Sequence, residues 1–336
     1  MILVTGATGH IGNTLVRALI QRNEKVRALI LPDEDPISLR GLPVELVRGD
    51  VTDYSSLYAA CEGIEIVYHI AGIISIGIGK RRLLQQVNVE GSRNVIRACK
   101  EQQVKRLIYT SSIHAFTELP DGQVITEMKE FHPEQVVGNY AKSKAMATNL
   151  MLEAAQEGLD VVIVHPTGVI GPYEFTPSHM GQLIRDFMNG KLYAYINGGY
   201  DFVDVRDIVE GLILACEKGR SGENYILSGQ QITIQQILLY LEEITGIKAP
   251  TVRFPIWLAQ ATALLSELYY KLLRQKPLYT AYSIHTLRSN SQTTHEKATR
   301  ELGYAPRPIQ ETLRDTVAWI KRQEVRGGFT HNEDIS

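Results

Sequence analysis

The sequence predicts an α/β fold, a Rossmann-type doubly wound parallel sheet followed by a smaller mixed α/β C-terminal lobe. Two observations carry this. Short Val- and Ile-rich runs alternate with amphipathic segments through the first half of the chain, the rhythm of a parallel sheet covered on both faces. The first run also leads into three glycines spaced three apart, Gly6, Gly9 and Gly12, and then into a helical pattern.

Ile2–Val4, Val26–Leu31, Val44–Val47, Ile64–Tyr68, Arg106–Tyr109 and Val161–Val164 read as buried strands, short and bounded by Gly, Asp or Ser. Ile11, Leu15 and Leu19 recur at helical spacing, and Val87 to Ala98 and Tyr140 to Ala155 behave similarly. Past Pro166 loops lengthen and strand candidates thin out. Ile256 to Leu273 carries only Glu267 and Lys271 as charges, but Gln260, Thr262 and Ser266 interrupt it. It reads as a buried or lid helix, not a membrane span. Pro308 to Gln323 reads as a closing helix. The expected organisation is a dinucleotide-binding domain over 1–172 and a substrate lobe over 173–325. Segments at about 200–218 return to the first domain, and 326–336 forms a flexible tail.

Composition excludes several classes. Among 336 residues, 35 Lys and Arg offset 37 Asp and Glu, a net charge of −2. No basic excess points to nucleic acid or anionic lipid. Cys61, Cys99 and Cys216 are far apart, with no CxxC pair, so neither a disulfide framework nor thiol redox chemistry is expected. The nine histidines form no zinc spacing, and no metal is expected. The N-terminus lacks the features of a signal peptide, and a cytoplasmic protein is expected.

The glycine turn is the most informative stretch. Gly6 permits a sharp turn, Gly9 lets backbone approach a pyrophosphate, and Gly12 lets the helix pack on the strand. The helix N-terminus offers free N–H groups to phosphate. Asp50-Val51 follows the third strand; its carboxylate reads either as an acceptor for an adenine amino group or, with Thr52 and Asp53, as a helix cap. NAD and NADP stay unresolved, because Leu31 stands where an acidic or basic determinant is expected, with Asp33 and Arg40 nearby.

Tyr140 and Lys144, four apart, share a helix face. A neighbouring ammonium favours the phenolate, which would otherwise form only near pH 10 or so. Such a pair can exchange a proton with an alcohol or carbonyl oxygen. The strand ending in Thr110-Ser111-Ser112 places hydroxyls at the same crevice. Ser112 is the candidate to hold the substrate oxygen, and Ser111 reads as structural.

Together these elements resemble the extended short-chain dehydrogenase/reductase family, which includes the NAD-dependent epimerases and dehydratases. The carrying motifs are Thr5-Gly6-Ala7-Thr8-Gly9-His10-Ile11-Gly12, Gly49-Asp50-Val51, His69-Ile70-Ala71-Gly72, Asn88-Val89-Glu90-Gly91, Thr110-Ser111-Ser112, Tyr140 with Lys144, and His165 through Pro172. Phe202 to Asp207 is similar to the family's second-half signature. Pro166 to Pro172 followed by Pro177-Ser178 is similar to the dihydroflavonol 4-reductase-like subgroup. The resemblance implies Tyr140 as acid/base, Lys144 gripping ribose and tuning the tyrosine, and Ser112 polarising the substrate. It implies cofactor contacts at Gly6, Thr8, Gly9, His10, Ile11, Gly12, Asp50, Val51, Ile70, Ala71, Gly72, Tyr140, Lys144, Pro166 and Val169.

Departures are informative. Ile113-His114 stands where related dehydratases carry Asp-Glu, and Leu31 where NADP-dependent flavonol reductases carry arginine. His165 replaces an Arg or Asn and reads as structural. Asn88 matches a family asparagine or caps a helix, and His114 is a loop residue or a substrate-side proton donor. The expected function is an NAD(P)-dependent oxidoreductase moving hydride between nicotinamide and a small carbonyl or alcohol substrate. A sugar-nucleotide epimerase and a non-catalytic NAD(P)-sensing protein are the alternatives. The apolar, tyrosine-bearing second half favours a hydrophobic or aromatic carbonyl. The resemblance suggests a homodimer or a monomer.

Overall fold

The computed structural model describes residues 1–74, 80–196, 198–255 and 290–325. The stretch read as a lid helix, 256–273, and the tail 326–336 lie outside the described residues. Six strands appear in the first half: β1 (Ile2–Thr5), β2 (Val26–Ile30), β3 (Glu45–Arg48), β4 (Ile66–His69), β5 (Arg106–Thr110) and β6 (Val161–Pro166). Between them run α1 (His10–Gln21), α2 (Tyr54–Ala60), α3 (Arg81–Leu84), α4 (Gly91–Glu101) and α5 (Asn139–Gln156). The second half contributes β7 (Gly168–Ile170), α6 (His179–Met188), β8 (Ala194–Ile196), β9 (Gly199–Asp204), α7 (Val205–Lys218), β10 (Asn224–Leu227), β11 (Gln230–Thr233), α8 (Ile234–Thr245) and β12 (Val252–Phe254). It ends in α9 (Glu296–Leu302) and α10 (Ile309–Val325).

The main sheet has the order β10-β6-β5-β4-β1-β2-β3, with every pairing parallel. Period-two alternation divides its side chains between two layers. Ile2, Val4, Ile108, Val162 and Val164 pack with Leu15, Val16 and Leu19 of α1 and Ile208, Val209 and Leu212 of α7. Leu3, Leu107, Tyr109, Val161 and Ile163 pack on the opposite face with residues of α2, α4 and α5. Each fully buried Val, Ile or Leu contributes about 1.5–3 kcal/mol relative to exposure, so both faces must be covered.

The second half holds more strands than its sequence rhythm suggests. The reason is their size and placement. They are three to six residues long, too short to show a period. Five form two small sheets, β11-β9-β7 and β12-β8. The sixth, β10, completes the main sheet beside β6. The helix α7 before it packs on α1, with Arg22 reaching Glu210 at 2.7 Å and Glu217 at 3.2 Å. A third apolar cluster joins α6, α8 and α10 to Ile113, Phe116 and Tyr200. No helix among the described residues is long and apolar enough to cross a membrane.

This topology gathers the strand ends. The order reverses between β1 and β4, and in open α/β sheets ligands bind at such a switch point, beyond the carboxyl ends of the strands. Thr5, His69, Thr110 and Pro166 all end on that edge.

The glycines of the first turn separate here into two kinds. A Cβ on Gly12 would lie 2.0 Å from the Gly6 carbonyl oxygen, whereas a Cβ on Gly9 meets nothing closer than 3.4 Å. Gly12→Ala is therefore expected to cost at least about 1–3 kcal/mol in chemical denaturation, while Gly9→Ala stays within about 0.5 kcal/mol. Equal losses would contradict the packing role given to Gly12.

Candidate active site

The first turn is set by close approach. Gly6 has φ +68°, and a Cβ there would meet the Ala71 nitrogen at 2.7 Å. The glycine turn and the Ile70-Ala71-Gly72 segment are therefore held against each other by backbone. Helix α1 then starts at His10 with no side-chain cap and no acid in its first turn, so its leading N–H groups and positive dipole end are available to an anion. Packing does not require a glycine at position 9, and the space it leaves lies at that helix end. These residues fit a dinucleotide pyrophosphate.

Beneath the turn runs a buried hydrogen-bond path. The Ala71 amide donates to Thr5 Oγ1 at 3.2 Å, and Thr5 hydrogen bonds His69 Nδ1 at 2.8 Å. His69 Nε2 meets Ser92 Oγ at 3.0 Å, and Ser92 donates to the Asn88 carbonyl at 2.7 Å. Since Ser92 spends its proton on that carbonyl, His69 donates from Nε2 and accepts at Nδ1. Burial holds this imidazole neutral, its pKa pushed down to about 3. Asn88 continues the path. Its Oδ1 accepts from the Ile73 amide at 2.8 Å, and its Nδ2 donates to the Ile73 carbonyl at 3.1 Å and to Ser143 Oγ at 3.0 Å. Ser143 in turn donates to the Tyr140 carbonyl at 2.7 Å. Asn88 is thus no helix-start cap. It sits inside a π-helical turn, Gln85–Glu90, a widening common at functional sites.

Helix α5 brings Tyr140 and Lys144 to the end of β5. Both are nearly inaccessible, at 6% and 5% exposure. Lys144 Nζ donates to the Thr110 carbonyl at 2.9 Å and lies 5.1 Å from the Tyr109 ring centroid. Burial pulls its pKa down to about 8. Burial also pushes Tyr140 up to about 12, opposed by a hydrogen bond with Ser112. The sequence reading that the lysine depresses the tyrosine differs from this geometry. Lys144 is turned toward β5, and desolvation dominates the phenol. Ser112 caps a short 3-10 turn, its Oγ accepting from the His114 amide at 3.2 Å. Ser111 instead hydrogen bonds Thr148 at 2.7 Å, a structural role.

His165 holds Ser112 in place. Its Nδ1 donates to the Ser112 carbonyl at 3.3 Å, with the ring against Phe116 and Phe131 at centroid distances of 4.7 and 5.2 Å. Pro166 ends β6, and Val169 lies in β7, which pairs with β9. Thr167 donates to buried Asp201 at 2.6 Å. His114 lies beside the Tyr140 phenol, its ring centroid 6.0 Å from that of Tyr140 and 6.0 Å from that of Tyr200. A cleft continues past His114 and Tyr200, with Ile113, Phe116, Ile125 and Val137 among its walls.

At the far side of the glycine turn, Asp50 Oδ1 accepts from the Thr52 amide at 2.8 Å, and the α2 cap is Asp53. Val51 is buried beneath it, and a Cβ on Gly91 would meet its side chain at 2.8 Å. The acid that faces the turn was not among the expected residues. Glu34 accepts from Thr8 Oγ1 at 2.6 Å and from the Leu31 amide at 3.2 Å. The chain reverses after Leu31 and returns Glu34 to the position that Leu31 leaves without a charge. Among the described residues no cluster of His, Cys, Asp or Glu could hold a metal ion.

Comparisons with known proteins agree with this geometry. The pattern defining the NAD dependent epimerase/dehydratase family matches residues 2–228. Sterol demethylase protein B of Methylococcus capsulatus is 39% identical, over 96% of this chain and 98% of its own length. A putative dihydroflavonol 4-reductase of Synechocystis is 34% identical, over 95% and 94%. The crystal structure of gox2253 superposes with a TM-score of 0.83 at 33% identity, covering 96% of this chain and 98% of that one. The protein is an NAD(P)-dependent oxidoreductase, and its chain belongs to the NAD dependent epimerase/dehydratase family.

Proposed function

We propose that the protein reduces a carbonyl, or oxidises the matching alcohol, on a small and largely apolar substrate, with NAD as the preferred nucleotide. The observation that carries the reading is the gathering of Ser112, Tyr140 and Lys144, all buried, at the carboxyl end of β5. When bound, the nicotinamide supplies or receives the hydride. The chain's own groups do the rest. Ser112 Oγ and Tyr140 Oη hold the substrate oxygen. In the reducing direction Tyr140, kept protonated by burial, donates its phenolic proton to that oxygen. In the oxidising direction the same oxygen accepts the proton. Lys144 also presents donors to the ribose.

An apolar substrate is supported by the name of the Methylococcus relative, while the cleft walls combine Ile113, Phe116 and Val137 with Thr117, Glu118 and Asn290. NAD over NADP is supported by Glu34, since a carboxylate at the turn suits a ribose diol and repels a 2′-phosphate. We assign residues 1–172 to the cofactor domain and 173–325 to the substrate lobe, with α7 and β10 packing back on the first domain. A cytoplasmic homodimer or monomer that does not bind nucleic acid is in keeping with free Cys61, Cys99 and Cys216 and a net charge of −2.

Three outcomes test the reading. Tyr140→Phe should bind NAD like the parent by calorimetry and lose about 10²-fold or more in turnover; unchanged turnover would remove the acid/base role. Carbonyl reduction should fall as pH rises through about 8, because Lys144 is an ammonium below its pKa and neutral above it. Lys144→Met should abolish that limb, and a flat profile in the parent would contradict it. Glu34→Arg should move the NADP to NAD affinity ratio at least about tenfold toward NADP. A parent that already binds NADP more tightly would overturn the NAD preference.

A further inference from the structure

One face of α1 carries a feature that the proton-transfer site does not use. His10, Asn13 and Arg17 stand at i, i+3 and i+7, on one side of the helix, and all three grip the segment Pro172–Phe175 that follows β7. His10 Nε2 donates to the Pro172 carbonyl at 2.9 Å. Asn13 Nδ2 donates to the Tyr173 carbonyl at 3.1 Å. The Arg17 guanidinium lies 5.2 Å from the Tyr173 ring centroid and 5.8 Å from that of Phe175.

Two of these side chains, Asn13 directly and Arg17 through Ser38, also reach the glycine turn. Asn13 Nδ2 also donates to the Gly9 carbonyl at 2.8 Å. Arg17 donates to the Ser38 carbonyl at 2.6 Å, and Ser38 Oγ donates to the Thr8 carbonyl at 3.0 Å. On the other side the segment is tied to α6. Buried Glu174 accepts from the Ser178 amide at 3.1 Å, and Ser178 caps α6. Phe175 stacks edge-on against Trp319 of α10 at 5.5 Å. Within the segment Tyr173 has φ +68°, a left-handed conformation that costs a non-glycine residue on the order of 1 kcal/mol and persists only where its surroundings enforce it.

We propose that His10, Asn13 and Arg17 are positioning residues that transmit dinucleotide occupancy of the glycine turn to the strap Pro172–Phe175, and through it to the seat of α6 on the substrate side. A ligand that orders the Thr8 and Gly9 backbone fixes the Gly9 carbonyl that Asn13 holds and the Thr8 carbonyl that Ser38, itself held by Arg17, bonds. The strained strap, and the α6 cap it carries, then lose freedom with the turn. The lobe that α6 shares with Ile113 and Tyr200 is thereby preformed for substrate once cofactor is bound. The coupling rests on the dinucleotide reading of the turn, and the test separates the two.

Amide hydrogen exchange on the full chain, with and without saturating NAD⁺, reads both sites at once. In the parent, NAD⁺ should slow exchange about tenfold or more in residues 6–12 and also in residues 173–182. In Arg17→Met the protection at 6–12 should remain and that at 173–182 should disappear. Phe175→Leu, which keeps an apolar side chain but removes the ring, should do the same, and unchanged exchange in β1 and β5 shows that each variant is folded. Protection of 6–12 alone in the parent, or protection of 173–182 retained in both variants, would overturn the coupling. An absence of protection at 6–12 in the parent, with NADP⁺ as well, would overturn the dinucleotide reading itself.

Discussion

A lysine ammonium buried at the carboxyl end of the sheet is the constraint around which the rest is built. Taking such a charge out of water costs several kcal/mol unless acceptors replace its hydration. Here Thr110 supplies its backbone carbonyl at the end of β5. The position of α5 follows from that contact, and with it the position of Tyr140 one turn earlier. The Thr5–His69–Ser92–Asn88 path satisfies the polar groups that surround the lysine. His69 must stay neutral so close to a second cation, and burial ensures it.

The cofactor edge depends on backbone proximity in the same way. Gly6 lies against Ala71 and Gly12 against Gly6, so β1, α1 and the segment after β4 form one rigid floor. Gly9 alone is free of packing demands, which is what a phosphate-binding position needs. Glu34 then closes the turn from the side of β2. In the proposed reading, proton transfer, ribose recognition and phosphate binding draw on three strand ends of one sheet, and the proposed substrate lobe is attached to that sheet by α7, β10 and the strap at Pro172–Phe175.

Much of this was legible before any coordinates. Val- and Ile-rich strands of the first half were readable because both faces of a parallel strand are buried. Gly6, Gly9, Gly12, Tyr140, Lys144 and Ser112 announced themselves by spacing and order. What stayed hidden depends on contacts distant in sequence. Asn88 stays open between a family asparagine and a cap in the sequence because nothing local reveals that Ile73 and Ser143 are its partners. Glu34 lies one residue beyond Asp33, and only the chain reversal after Leu31 shows that it is the acid that reaches Thr8. The direction of the Tyr140 shift was missed since a four-residue spacing shows neither burial nor the rotation of Lys144 toward Thr110. The short strands β7 to β12 have no readable period, and β10 is recognisable only by its place beside β6.

The most direct test of the central constraint is the protonation midpoint of Lys144 itself. A ¹³C-labelled lysine sample, with the Lys144 resonance assigned by its loss in Lys144→Arg, reports that midpoint by NMR. Burial against the Thr110 carbonyl predicts a midpoint near pH 8. A midpoint at the ordinary lysine value, about 10.4, would show the ammonium to be hydrated and would contradict the account.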